Sequence, residues 1–95
     1  MFDHSDVRSN FPILSRQVNG KPLVYLDNGA SAQKPQVVID AISTAYSHEY
    51  ANVHRGLHYL SNLATDKYEN VRSIIARFLG VADERQIIMN SGTTE

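Results

Sequence analysis

At 95 residues the chain is one domain at most, and a chain this short buries only a little more than ~60% of the surface its unfolded form exposes. Nine Lys and Arg against ten Asp and Glu leave a formal charge of −1, and the basic residues are scattered singly, which argues against a nucleic-acid or anionic-membrane surface. No apolar run approaches the ~20 residues of a membrane span, the opening Met1-Phe2-Asp3-His4 lacks a signal peptide's basic start, and with no cysteine these residues hold no disulfide, thiolate zinc site or thiol nucleophile. A cytoplasmic address is expected.

Ser5 or Asp6 is placed to cap a short helix in which Val7 and Phe11 lie four apart, and Pro12 is expected to end it. Ile13 and Leu14 add apolar surface that so short a helix cannot cover against itself, so residues 1–20 read as a docking segment. Asn19-Gly20 then separates two extended runs, Arg16-Gln17-Val18 and Lys21-Pro22-Leu23-Val24-Tyr25-Leu26. Both residues tolerate the positive φ that a two-residue hairpin turn demands, and Pro22 belongs on an edge where its missing N–H does no harm.

Next comes Asp27-Asn28-Gly29-Ala30-Ser31-Ala32-Gln33-Lys34-Pro35, a run of small and polar residues. Small side chains admit a ligand or another segment close to the backbone, but an ordinary strand-to-helix loop, with Asp27 bonding its own backbone, has the same composition. Pro35 suits a first helical position, and Val38, Ile42, Ala45 and Tyr46 recur as one buried face of a helix reaching about His48. His54 and His58, with His48 and Glu49 upstream, suggest a zinc set. Gly56 between the two histidines and the lack of a further ligand at matching spacing argue against it. The loop is read instead as presenting imidazole and guanidinium groups to a partner subunit or an anionic ligand, with a plain solvated loop as the alternative.

The clearest period follows. Leu60, Leu63, Ala64, Tyr68, Val71, Ile75 and Phe78 make one apolar stripe on a helix from about His58 to Leu79, stopped by Gly80, with Glu69 and Arg72 paired three apart. Gln86-Ile87-Ile88-Met89-Asn90 reads as a terminal strand, and Ser91-Gly92-Thr93-Thr94-Glu95 as a turn opening a helix. Free N–H groups at such a turn suit a phosphate, although a plain N-cap after an edge strand would look the same.

Taken as a set, Asp6-Val7-Arg8 with Phe11-Pro12-Ile13-Leu14, the run from Tyr25 to Pro35, Val53-His54-Arg55-Gly56-Leu57-His58, and Ser91-Gly92-Thr93-Thr94-Glu95 resemble the opening of a cysteine desulfurase. The resemblance is to the class V aminotransferase superfamily, in the sulfur-mobilisation branch that includes selenocysteine lyases. It implies an α/β chain, the N-terminal part of a fold type I pyridoxal 5'-phosphate enzyme. These residues would be mainly helical with a short hairpin and one terminal strand, residues 1–20 lying on the small-domain side and 21–95 starting the cofactor-binding large domain. It also implies a homodimer that converts L-cysteine to L-alanine and passes the sulfur, as a persulfide, to an acceptor protein for iron–sulfur cluster assembly.

By position, Gly92, Thr93 and Thr94 inherit the cofactor phosphate, while Asp27, Gly29 and Ala30 fall on the substrate side. His54 and Arg55 match a family loop at the dimer boundary near substrate. Two departures stand out: Gly29 where relatives often have Ala, and Ser91 where they often carry a basic residue. The resemblance further implies that the catalytic lysine and the persulfide-forming cysteine lie beyond Glu95, so no catalytic residue is assigned and these 95 residues alone are expected to be inactive. Two other readings are a small non-enzymatic interaction module and another class V enzyme of kynureninase or epimerase type. Gly-Thr-Thr after a strand speaks against the first, and the resemblance of the His-Arg-Gly loop against the second.

Overall fold

The computed structural model describes residues 2–53 and 58–95, in two compact units, Met1–Ser47 and His48–Glu95. About half of the chain is helical and a single two-stranded sheet is present among the described residues.

In the first unit, α1 spans His4–Ser9. Its cap is Asp3 rather than Ser5 or Asp6, because Asp3 is extended and its Oδ1 accepts the Ser5 amide at 2.9 Å. Nor does Pro12 end this helix, since the chain has left it by Asn10. Pro12 instead opens a 3₁₀ turn, Pro12–Ser15, where its fixed φ suits the first position. Phe11 therefore lies between the two, outside the helix that holds Val7.

The hairpin forms as the turn chemistry dictates. Asn19 and Gly20 have φ of 54° and 74°, and β1 (Gln17–Val18) pairs antiparallel with β2 (Lys21–Pro22), Val18 opposite Lys21 and Gln17 opposite Pro22. In an antiparallel ladder every second pair exchanges no hydrogen bonds. Pro22 occupies such a pair, and the ladder resumes beyond it where the Leu23 amide donates to Arg16 O at 3.1 Å. Regular pairing stops there, short of the run to Leu26.

Helix α2 spans Gln36–Thr44, with Pro35 as its cap residue rather than its first helical one, and the Gln36 amide donates to Asn10 O at 2.7 Å, tying the start of α2 to the end of α1. The α-helix does not continue to His48. It passes into a π-helical turn, Ala45–Glu49, beside a Ser47 hydroxyl that donates back to Ser43 O at 2.7 Å, a bond that favours bending. Val38, Ile42 and Tyr46, expected as core, are exposed, because no element of the unit packs broadly across α2.

In the second unit, α3 spans Tyr59–Leu79, and Gly80 ends it in the left-handed conformation, φ 73°, with the Val81 amide closing onto Ala76 O at 2.8 Å. Its buried residues are small: Ser61 at 1% exposure, Thr65 and Ala76. The expected stripe is only partly covered. Leu63, Ala64 and Ile75 are half-buried, whereas Phe78 is 88% exposed. The reason lies in what α3 has to pack on. Among the described residues it meets the turn after it, through Arg72, and Asn52 before it, whose carbonyl accepts the Ser61 hydroxyl at 3.1 Å.

A 3₁₀ turn, Glu84–Gln86, follows, capped by Asp83, whose Oδ1 accepts the Arg85 amide at 2.9 Å. The expected terminal strand over residues 86–90 does not form. A strand needs a ladder partner, and here the Ile87 carbonyl accepts a side chain, Arg72 Nε at 3.1 Å, instead of another backbone.

Candidate functional site

The candidate residues fall in three stretches. Asp27, Gly29 and Ala30 share one turn of the first unit; Gly92, Thr93 and Thr94 share one turn of the second; His54 and Arg55 lie outside the described residues.

The first turn is built by its own backbone. Asp27 O accepts the amides of Ala30 and Ser31, both at 3.1 Å, and Asn28 Oδ1 accepts the Gln33 amide at 3.0 Å. The Tyr25 hydroxyl, within reach of two carbonyls, donates to Ser31 O at 2.6 Å, with Asp27 O at 3.3 Å. The loop is thus a closed ring of bonds with small side chains on its outside. A methyl group added at Gly29 would meet nothing within 4 Å. Tyr25 escaped the sequence reading because strand residues are read by alternation, which says nothing about where a phenol ends.

At the second turn, the Gly92 amide donates to Asn90 Oδ1 at 3.1 Å, and the Glu95 amide to Gly92 O at 3.2 Å. The Glu95 carboxylate accepts the Ser91 amide at 2.8 Å and also the Ser91 hydroxyl. Those two bonds, the hydroxyl's first, hold the Glu95 carboxyl below its ordinary pKa. The amides of Thr93 and Thr94 meet no acceptor among the described residues, both side chains are exposed, and the space where a Gly92 Cβ would stand is open. Asn90 could have been found from sequence, as an Asx residue two positions before an amide is a known turn former. The sequence alone marks Glu95 only as part of a turn opening a helix.

One residue holds the approach to this turn in place. Arg72 on α3 donates from Nε to Ile87 O at 3.1 Å and from one terminal nitrogen to Glu84 O at 3.2 Å. The other terminal nitrogen reaches Glu69 at 3.2 Å. The sequence predicted the Glu69 pair but not the two carbonyls, which become neighbours only when the chain folds back on α3. At the other end of α3, His58 Nδ1 accepts the Ser61 amide at 3.2 Å, so this histidine caps a helix; the zinc reading that included it would need the same nitrogen free or the ring turned. No three metal-ligating side chains come together among the described residues, and none of the described helices is long and apolar enough to cross a membrane.

The sequence pattern of the Aminotransferase class-V family matches residues 24–95. The chain belongs to the aminotransferase class-V family. Within it, the chain is similar to proteins named cysteine desulfurase or probable cysteine desulfurase. It is 53% identical over all 95 residues to "Probable cysteine desulfurase 1" of Mycobacterium leprae, where it covers 16% of that protein. It is 53% identical over 94 residues to a cysteine desulfurase of Salmonella newport, covering 99% of this chain and 23% of the relative. Among solved structures, the apo cysteine desulfurase of Thermococcus onnurineus NA1 matches with a TM-score of 0.68 and 40% identity, over 85% of this chain and 19% of that one. The chain therefore spans less than a quarter of each of these relatives.

For a class-V chain the question is whether the turn at residues 91–95 suits a phosphate. Its features do. It offers two amides without acceptors among the described residues and two exposed hydroxyls, with open space at Gly92, and the Glu95 side-chain carboxylate is bound there by amide and hydroxyl donors of the kind a phosphate uses.

Proposed function

We propose that the chain is the N-terminal portion of a pyridoxal 5'-phosphate-dependent cysteine desulfurase, which releases L-alanine from L-cysteine and carries the sulfur as a protein persulfide to an acceptor protein. The observation that carries this reading is the similarity over the whole chain, at 50% identity or more, to proteins named cysteine desulfurase or probable cysteine desulfurase. The wider setting belongs to the same proposal: a cytoplasmic homodimer serving iron–sulfur cluster assembly, on the branch that includes selenocysteine lyases.

When bound, the cofactor supplies an electron sink that makes the substrate's carbon–sulfur bond breakable. What this chain's residues contribute is position. Thr93 and Thr94 would hold the phosphate through their amides and hydroxyls, and Gly92 admits it by having no side chain. The phosphate has no part in bond breaking, so its tether serves to fix where the reactive end of the cofactor lies. Asp27, Gly29 and Ala30 would line the substrate side, their small size leaving room for the amino acid. His54 and Arg55, which match a family loop at the dimer boundary, would stand near the substrate of one or other subunit.

The same chemistry sets what these residues lack. A lysine must hold the cofactor and a thiolate must accept sulfur, and with no cysteine present the 95 residues have no acceptor. The test is alanine release. The natural gene product containing this sequence, purified and supplied with pyridoxal phosphate and L-cysteine, should form alanine and a persulfide, while the 95-residue chain under the same conditions should form neither. A cofactor-loaded natural product that leaves cysteine untouched would overturn the proposal.

A further inference from the structure

Two Asn-Gly pairs lie in the first unit, Asn19-Gly20 in the hairpin turn and Asn28-Gly29 in the loop after Tyr25. Asn before Gly is the pair at which a side-chain amide is most open to attack by the next backbone nitrogen, because glycine has no Cβ to block the approach. The two pairs stand in different surroundings. Asn19 and Gly20 are both exposed, and among the described residues neither the Asn19 side chain nor the Gly20 amide has a hydrogen-bond partner. A methyl group at Gly20 would meet nothing within 4 Å, so the Asn19 side chain has room to swing onto the Gly20 nitrogen. Asn28 is tied. Its Oδ1 accepts the Gln33 amide at 3.0 Å, and the loop around it is closed by two amides on Asp27 O and by the Tyr25 hydroxyl on Ser31 O at 2.6 Å. The space at Gly29 is as open as at Gly20, so what separates the two pairs is the bonding and not the room.

We propose that Asn19 is a site of spontaneous deamidation and isoaspartate formation, and that the bonds closing its loop protect Asn28 from the same reaction. The Gly20 nitrogen gives up its proton and bonds to Asn19 Cγ; the bond from Cγ to the side-chain nitrogen breaks, and ammonia leaves with that proton. Water then opens the five-membered imide at one carbonyl or the other, leaving aspartate or isoaspartate at position 19. Only water is consumed. The ring closes from conformers that bring Cγ onto the nitrogen, and holding Asn28 Oδ1 on the Gln33 amide removes such conformers. The two products at position 19 differ in effect. Aspartate tolerates the positive φ of the turn and adds a carboxylate two residues from Lys21. Isoaspartate adds a backbone carbon to a two-residue turn, and a ladder of only two residue pairs, Val18 with Lys21 and Gln17 with Pro22, loses its register. At Asn28 the same change would set a second carboxylate beside Asp27, in the loop proposed to line the substrate side, so its protection has a use.

The test holds the 95-residue chain in mildly alkaline buffer, with and without urea, and follows the mass gained at residues 19 and 28 by fragmentation of the peptide that carries both. In urea the two pairs should react at similar rates, each being Asn-Gly in a free chain. In buffer Asn19 should outpace Asn28 by at least about tenfold, the ~1.4 kcal/mol that one or two loop bonds can hold back. Tyr25→Phe removes a loop bond without touching either pair, and with the helical circular dichroism unchanged it should speed Asn28 about threefold or more and leave Asn19 as it was. A ratio in buffer equal to that in urea, or no mass gain at Asn19 in buffer, would overturn the proposal. An Asn28 rate unmoved by Tyr25→Phe would overturn the assignment of its protection to the closed loop.

Discussion

Replacing Arg72 by Met keeps the aliphatic stem of the side chain and removes the guanidinium, and with it the bonds to Ile87 O, Glu84 O and Glu69. The two carbonyl bonds carry most of the effect. A net ~0.5–1.5 kcal/mol each is usual, and since the Arg72 side chain is 24% exposed, water can partly replace it at the carbonyls, so about 1 kcal/mol apiece is a fair figure. The Glu69 pair is half-exposed on a helix surface and adds only a few tenths. The loss is thus about 2 kcal/mol, or roughly 30-fold in an opening equilibrium. It should appear locally. The amides of Gln86 and Ile87, which donate to Asp83 O and Glu84 O at 3.0 Å, should exchange with solvent roughly 30-fold faster in Arg72→Met, while the helical circular dichroism from α3 stays unchanged. Lysine at the same place can reach one carbonyl at best and should recover less than half. Protection of Ile87 within twofold of wild type would refute the idea that Arg72 pins this segment.

His58→Ala removes the acceptor at the start of α3 and should cost ~1 kcal/mol in urea unfolding, whereas His58→Asn, a better cap, should cost nothing or stabilise. Glycine substitutions should divide by backbone. Gly80→Ala forces a side chain into φ 73° and should destabilise by about 1–2 kcal/mol, while Gly29→Ala, in open space and without a positive φ, should change thermal stability by less than about 0.5 kcal/mol. The Asp83 carboxyl is held below its ordinary pKa first by the Arg85 guanidinium and then by the Arg85 amide. A depressed folded value means the turn's stabilisation is complete above the ordinary aspartate range and lost as pH falls through the lower, folded value. The Arg85 amide shift should therefore titrate below that of an unfolded peptide, and a midpoint at the peptide value would contradict the pairing.

The features that were legible in the sequence are those a few adjacent residues decide. Asn19-Gly20 needed no partner to be read, because a two-residue turn with positive φ admits few other residues. Gly80 and the length of α3 were as plain. What failed to read depended on neighbours in space. The apolar stripe of α3 marks a face able to be buried, but burial follows whatever packs on it, and in this unit the contact falls on Ser61, Thr65 and Ala76. The run at residues 86–90 has strand composition and no strand beside it among the described residues of its unit. At the candidate site the residue types were legible, as Gly92, Thr93 and Thr94 announce a turn, but the carboxylate closing onto Ser91 was not, since Glu95 looked like the start of something further on.

Apart from the Gln36–Asn10 bond that ties α2 to α1, the bonds described above are short in sequence. The side-chain bond from Lys67 to Glu49 spans 18 positions, and the loop after Tyr25 is closed by bonds of six positions or fewer. Short loops lose little entropy on closing, and chains rich in local contacts fold in microseconds to milliseconds. At a synthesis rate of about 5–20 residues per second, each turn and helix has time to form before the next has left the ribosome. The Asp27 loop would thus take its shape early, independent of whatever is translated later.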